Sequence, residues 1–387
     1  MVPSRPRHCF LVIAFVLILA APPVVQVGLD MANGRSPGCL ALLTRRPTVT
    51  HLRGFEEDLE ADSWFANWAR PLVQQARFRL FADPGQNAIV GRRGWLFYTP
   101  GVQYITDSGK ARDAAMRDCI AAVCDFNAQL ASRGIHLVVV PAPGKASIYP
   151  DMLGRRASRE AMESPTRGLL RELKAEGVDV VDLFAVFAQA RRDAAAEQPL
   201  YLAQDTHWSP AGAHLAAETV AAHVLSAGRI TAGAVNYDTE PVAVSRMGDI
   251  IRMARVPAME RNAAPQTVQC LRVIDPRTGA PYSDDDAAPV LVLGDSFLRI
   301  YESDKPGSAG FTAHLARALK QPVTSIVNDG GASTLVRQAL SRRPELLEGK
   351  RIAIWEFVER DIRFGAEGWQ RVDLPDSGPA GDTGPRP

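Results

Sequence analysis

The sequence predicts an α/β protein: a parallel sheet covered by helices on both faces. Two observations carry this. The segments "IHLVVVP", "VDVVDLF", "PVLVLGDS", "PVTSIVND" and "RIAIWEFVERD" are short and largely apolar on both sides, the pattern of strands buried front and back. Between most of them lie stretches long enough and periodic enough for a helix, so strand and helix alternate as they do in α/β folds. At 387 residues, 46% of them hydrophobic, the chain can bury a substantial core. Lys+Arg 44 against Asp+Glu 43 leaves a net charge of +1, so no long-range field points to nucleic acid.

Taken in order, basic Arg5, Arg7 and His8 precede the nearly uncharged "CFLVIAFVLILAAPPVVQVGL", long enough to span a bilayer. Residues 1–30 therefore read as a signal anchor or a cleaved signal peptide. Ala20 and Ala21 offer small residues but no clear A-x-A site, so both readings stand. Charge before the apolar run and a long domain after it place the body outside the cytoplasm. Residues 31–54 read as a polar linker, and 55–370 as one domain. Within it, "GFEEDLEADSWFANWARPLVQQARFRLF" has helical periodicity broken at Pro71, and "NAIVGRRGWLFYTP" gives two short strands around a glycine-centred turn. Helices are expected at 113–133 and 165–175, then from Pro210 to about Ala227 with Ser209 as N-cap, and later at 309–320 and 333–342. Residues 228–288, with their Pro, Gly and "SDDDAAP", read as an irregular insertion. The tail 371–387, ending "DLPDSGPAGDTGPRP", reads as disordered.

The five cysteines form no disulfide framework. Cys9 lies in the apolar run, and Cys119 and Cys124 read as small hydrophobes on one helix. A Cys39–Cys270 pair is left open.

Chemistry concentrates at two places. "QDTHWSPAG" puts Asp205 two residues before His207, ahead of a helix start; in an extended stretch both side chains point the same way, so the carboxylate can orient the ring. "VLVLGDSFLRIY" ends an apolar strand at Gly294, Asp295 and Ser296, at the strand's carboxyl end where open α/β sheets place their sites. A serine hydroxyl needs a base, and the base an orienting acid. Ser296, His207 and Asp205 supply nucleophile, base and orienter. His214, His223 and His314 fall in helices, His136 at a strand start and His51 in the linker. A metal site from Asp205, His207 and His214 is disfavoured, because no histidine pair sits at i, i+4, and no cofactor is called for.

With "DTHWSPAG" and "LVLGDSF", together with "IVGRRGWLFY", "VVVPAPGKASIYPD" and "IWEFVERDI", the chain resembles the SGNH-hydrolase-like domain of the alginate O-acetyltransferase family of AlgJ and AlgX, over residues 55 to 365. The resemblance implies a flavodoxin-like, circularly permuted SGNH domain with the Asp-His segment before the serine. It implies an exported O-acetyltransferase of the periplasm acting on an exopolysaccharide, supplied by a membrane-bound O-acyltransferase. The carbohydrate-binding domain that follows the catalytic part in AlgX has no counterpart before the tail. Expected oxyanion donors are the Ser296 amide and that of Gly330 or Gly331 in "NDGGAST", which can equally be a plain turn. Trp208 and Tyr301 can pack on a sugar ring or fill the core, and Arg299 can bind a uronate carboxylate or stand in solvent. Glu356 and Arg360 brace the site or form a structural ion pair. An acetylesterase and a non-catalytic polysaccharide-binding subunit share these features.

Overall fold

The computed structural model describes residues 5–35, 62–81, 83–155, 164–193, 198–329 and 331–375, with positions 37, 48, 52 and 55. Most of the expected linker, with Cys39 and His51 in it, lies outside the described residues, as do Gly330 and the tail beyond residue 375.

The chain divides into two compact units. The first, residues 1–85 with 255–261, contains α1 (Arg5–Ala32) and α2 (Trp64–Phe81). From Phe10 to Ala32 α1 is long and apolar enough to cross a membrane, and its most apolar 18-residue stretch has no buried residue, as fits a signal sequence or a membrane anchor. The helix expected to break at Pro71 runs through it. A proline removes one intrahelical donor, and here the apolar periodicity continues on both sides of it.

The second unit, residues 86–254 and 262–387, holds the sheet. Ahead of it stands the hairpin of β1 (Ala88–Val90) and β2 (Leu96–Tyr98), Ile89 opposite Phe97. There follow α3 (Lys110–Ala131), β3 (His136–Ala142), α4 (Thr166–Ala175), β4 (Asp179–Val180), α5 (Leu183–Asp193) and α6 (Pro210–Ser226). Next come β5 (Asp238–Arg246), α7 (Asp249–Ala254) and β6 (Gln266–Ile274). β7 (Val290–Gly294), α8 (Phe311–Leu319), β8 (Thr324–Val327), α9 (Leu335–Ser341) and β9 (Ile352–Val358) come last, with further short helices among these elements. Five strands form one parallel sheet in the order β4-β3-β9-β7-β8.

Alternation along the strands separates two cores. Val138, Val140, Val290, Val292, Ile352 and Ile354 face one side and pack with α5, α6 and α8. Leu137, Val139, Leu291, Leu293, Ala353 and Trp355 face the other and pack with α3, α4 and α9. Because both faces are covered, all seven residues of β9 are buried.

Three expectations are corrected. Strand "VDVVDLF" pairs only at Asp179–Val180, because the Asp182 carboxylate accepts from the Phe184 amide at 3.0 Å and opens α5. Residues 228–288 are not irregular: β5 and β6 form a nine-residue antiparallel hairpin, Val242 opposite Cys270. Half of its residues are exposed and most of the rest half-buried, while Cys270 and Val273 turn into the core. The disordered tail does not start at 371. Val372 and Leu374 are buried; Gln129 of α3 bonds the backbone of both, and Arg133 just after the helix bonds that of Leu374.

Gly294 ends β7 for reasons of space. A Cβ there would stand 2.6 Å from Glu356 Oε2 and 2.4 Å from Leu298 Cδ1, so only glycine allows the turn into Ser296 to close against β9. Trp355, with no exposed surface, sits among Phe126, Phe357 and Trp369. Trp355→Ala is expected to cost about 3–5 kcal/mol of stability, read as a lowered midpoint in urea unfolding.

Candidate active site

The loop before α6 and the turn after β7 meet at the carboxyl end of the sheet. Ser209 caps α6 by accepting from Gly212 N, and Pro210 takes the first helical position, so the chain enters the helix at a fixed angle. Gly212 is required there, since a Cβ would lie 2.4 Å from Leu200 O. Lys145, almost fully buried, donates to the carbonyls of Leu202, Ala203 and Asp205 at 3.0, 3.1 and 2.7 Å and fastens the stretch that carries the acid. Burial draws its ammonium down to about 7, against the raising effect of Asp205 and Asp249. After β7, Asp295 accepts from Phe297 N at 2.8 Å and from Val358 N at 3.1 Å, pinning the turn to β9.

These supports bring Asp205, His207 and Ser296 into line. His207 Nδ1 lies 2.7 Å from Asp205 Oδ1, and Nε2 lies 2.8 Å from Ser296 Oγ. Asp205 is fully buried, His207 nearly so, and Ser296 only partly, which leaves the hydroxyl as the accessible end. Asp205 Oδ1 also accepts from His207 N at 3.1 Å; Oδ2 accepts from Arg246 Nε at 3.0 Å and Asp249 N at 3.3 Å. Burial alone would raise this carboxyl, but the His207 hydrogen bond, its charge and Arg246 hold it far below the ordinary carboxylate range.

Arg246 ends β5 and Asp249 opens α7, so the segment expected to be an insertion supplies both. Asp249 accepts from Thr206 N at 2.7 Å and Thr206 Oγ1 at 2.5 Å, and its Oδ2 stands 3.5 Å from His207 Nδ1. Burial first, then the Asp205 charge, push its carboxyl up. Asp205, His207 and Asp249 offer ligand atoms within 4.8 Å of one another. Arg246 already brings positive charge to Asp205 and His207 is hydrogen-bonded at Nδ1, so the donor set suits a proton relay better than a cation cage. His214, the third member of the metal set weighed above, instead pairs with Glu218 and stacks on His314.

Sequence reasoning had no means to find Arg246, Asp249 or Lys145 as partners, because their roles depend on tertiary neighbours. The alternating pattern of "EPVAVSR" and "QTVQCLRV" was the one available sign of the hairpin.

Several expected substrate contacts are corrected. Trp208 and Tyr301 are fully buried. Trp208 lies over Phe311 and edge-on to Phe297, its indole donating to Phe297 O at 3.1 Å, so no sugar ring reaches it. Tyr301 is sealed in the same core. Arg299 is paired with Asp304 and Asp329 and is not free for a uronate. The Gly331 amide donates to Asn328 O at 3.1 Å, closing a turn, and so is not free to face an oxyanion. The Ser296 amide donates to no protein atom among the described residues. Glu356 makes no pair with Arg360. It accepts from Asp295 N, and burial followed by the nearby Asp295 raises its carboxyl well above the ordinary value of 4.5. Arg360 lies over Tyr98 and Phe297 and borders a small cleft with Tyr98, Gly144 and Thr206.

Residues 88–359 match the family model described as the SGNH hydrolase-like domain of acetyltransferase AlgX. The probable alginate O-acetylase AlgJ of Pseudomonas aeruginosa is 26% identical over 299 residues, 75% of this chain and 74% of that protein. Its counterpart from Azotobacter vinelandii is 24% identical over 73% of this chain and 71% of its own length. Among solved structures, the O-acetyltransferase domain of Pseudomonas putida AlgJ shares the fold at TM-score 0.57 and 23% identity, covering 72% of this chain and 92% of that one. Pseudomonas aeruginosa AlgX does so at TM-score 0.52 and 18% identity, over 73% and 68%.

Removing Arg246 leaves the buried Asp205 charge without its cation. Arg246→Met is expected to lower stability by about 3 kcal/mol, read by thermal or urea unfolding. Because the Glu356 carboxyl is raised in the folded state, the stability it contributes is fully present below 4.5, is lost progressively as pH rises from 4.5 and is gone once pH has passed the raised value. Melting temperature is therefore expected to fall as pH rises from 4.5 toward the raised value, and Glu356→Gln to flatten that fall.

Proposed function

The chain belongs to the family of SGNH hydrolase-like domains of AlgX-type acetyltransferases, and from that premise we propose that it is an exported O-acetyltransferase that moves acetyl groups onto hydroxyls of an alginate-like exopolysaccharide. The observation that carries this reading is the unbroken hydrogen-bonded line from Asp205 through His207 to a partly exposed Ser296. AlgJ of Pseudomonas aeruginosa is named a probable alginate O-acetylase. The apolar α1 supports export or anchoring, with the sheet unit in the periplasm. The family resemblance adds a membrane-bound O-acyltransferase as acetyl supplier. Strand order supports the circularly permuted form: counted from β7, the order β8-β7-β9-β3-β4 reads 2-1-3-4-5, the flavodoxin-like arrangement.

In this mechanism Ser296 Oγ attacks the acetyl carbonyl of the donor as His207 Nε2 takes its proton. The imidazolium is held by ionised Asp205, whose own charge is held by Arg246. The oxyanion faces the Ser296 amide. When the tetrahedral adduct collapses, the bond to the donor breaks and the leaving group takes the proton from His207, leaving acetyl-Ser296. A sugar hydroxyl then gives its proton to His207 and attacks the acetyl carbon. The Oγ–acyl bond breaks, and Oγ recovers the proton. Arg360 and Lys145 both line the small cleft beside Thr206, and Arg360, whose contact with Asp361 is long at 3.9 Å, is the cation we assign to a uronate carboxylate there.

The test uses the purified protein with a soluble acetyl ester, with and without alginate. Ser296→Ala is expected to lower acetyl transfer to polymer on the order of 10⁴-fold or more. Arg360→Met is expected to raise the KM for polymer while leaving turnover of the acetyl ester alone unchanged. Acetate release that added polymer neither slows nor diverts would make the protein an esterase instead. Turnover equal in the wild type and Ser296→Ala would remove the catalytic reading.

A further inference from the structure

Helix α2 carries an apolar stripe that the protein does not cover. Phe65, Trp68, Ala69, Leu72, Val73, Ala76 and Leu80 recur at the i, i+3, i+4, i+7 spacing of one helix face. Among them Phe65 is 41% exposed, Trp68 61%, Leu72 54%, Val73 57% and Leu80 74%. No residue of this 18-residue helix is buried. A stripe this regular, open to water, needs an apolar surface to cover it.

Its neighbour says which surface. At the start of α2, Trp64 N donates to Gln26 Oε1 at 2.9 Å, and the Trp64 indole donates to Pro22 O at 3.2 Å. Pro22 and Gln26 both lie inside Phe10–Ala32, the segment long and apolar enough to cross a membrane. The first turn of α2 is therefore fastened to α1 at a point that is within or at the edge of the bilayer once α1 inserts. The charge fits as well: α2 contains Arg70, Arg77 and Arg79 and no acidic residue, and while Arg77 is paired with Asp83, Arg70 and Arg79 remain to meet anionic headgroups. Arg70 and Arg77 flank the stripe, while Arg79, near the end, is long enough to reach the headgroups from within it.

We propose that α2 lies in the surface of the same lipid bilayer that α1 enters, with Phe65, Trp68, Leu72 and Val73 sunk to the acyl boundary and the arginines among the headgroups. Two contacts with lipid, one spanning and one in the plane, then hold the first unit to the membrane. The proposal does not depend on the chemistry at Ser296.

The test uses the full chain reconstituted in vesicles of phosphatidylcholine and phosphatidylglycerol whose acyl chains are brominated near the headgroup. In a Trp64→Phe background Trp68 is the one indole of α2, and bromine is expected to quench part of the emission. Adding Trp68→Phe is expected to abolish that part, and Leu72→Glu, which places a carboxylate at the centre of the stripe, to reduce it. Both positions are exposed, so neither change disturbs a core. Equal quenching with and without Trp68, or Trp68 emission quenched by aqueous acrylamide and not by bromolipid, would overturn the proposal. Protection of Trp68 from both quenchers would also overturn it, and would mean that a protein surface covers the stripe.

Discussion

The site rests on keeping one carboxylate ionised where no water reaches it. Asp205 has no exposed surface, and an unpaired charge in such a place would neutralise itself by taking up a proton. Four donors prevent this: His207 Nδ1 and N on one oxygen, Arg246 Nε and Asp249 N on the other. A charged acceptor in a poorly screened site fixes the His207 ring far more firmly than a neutral or exposed one would. The ring's second nitrogen is thereby aimed at Ser296.

That arrangement explains the architecture around it. The strands contribute the serine through Gly294 and the Asp295 cap; the loop before α6 contributes the acid and the base. Neither element can hold the Asp205 charge by itself. The cation comes from the β5–β6 hairpin, whose Arg246 also pairs with Asp304, and Asp304 in turn pairs with Arg299. What looks in the sequence like an insertion beside the sheet is the rear wall of the site. The arginine expected to meet substrate is instead the far end of this charge chain.

Legibility in the sequence followed the range of the interaction. The parallel sheet was legible, because strands such as "IHLVVVP" and "IAIWEF" owe their burial to being covered on both faces, and that writes a continuous apolar run. So were the α6 cap at Ser209 and Pro210 and the residues of the Asp205–His207–Ser296 line, which depend on local spacing and strand ends. The hairpin is hidden in the sequence because only Cys270 and Val273 of its strand residues are buried, which leaves a weak alternation among turn residues. The short β4 was overread because Asp182, a helix cap, looks like any polar residue within an apolar run. Trp208 and Tyr301 read in the sequence as either sugar-packing or core residues, because closeness in sequence to His207 and Ser296 does not say which way a side chain turns; both turn into the core. Arg246, Asp249 and Lys145 left no local sign, since each acts on a backbone or carboxylate more than 40 positions away.

The most direct measurement is the reactivity of Ser296 toward a serine-directed sulfonyl fluoride, read by mass spectrometry of the tryptic peptide 278–299. If His207 draws the proton from Ser296 as the geometry indicates, the wild type is expected to be modified at Ser296 and His207→Ala to remain unmodified under the same conditions. Modification at equal rates in both proteins, or none at Ser296 in the wild type, would contradict an activated serine at this site.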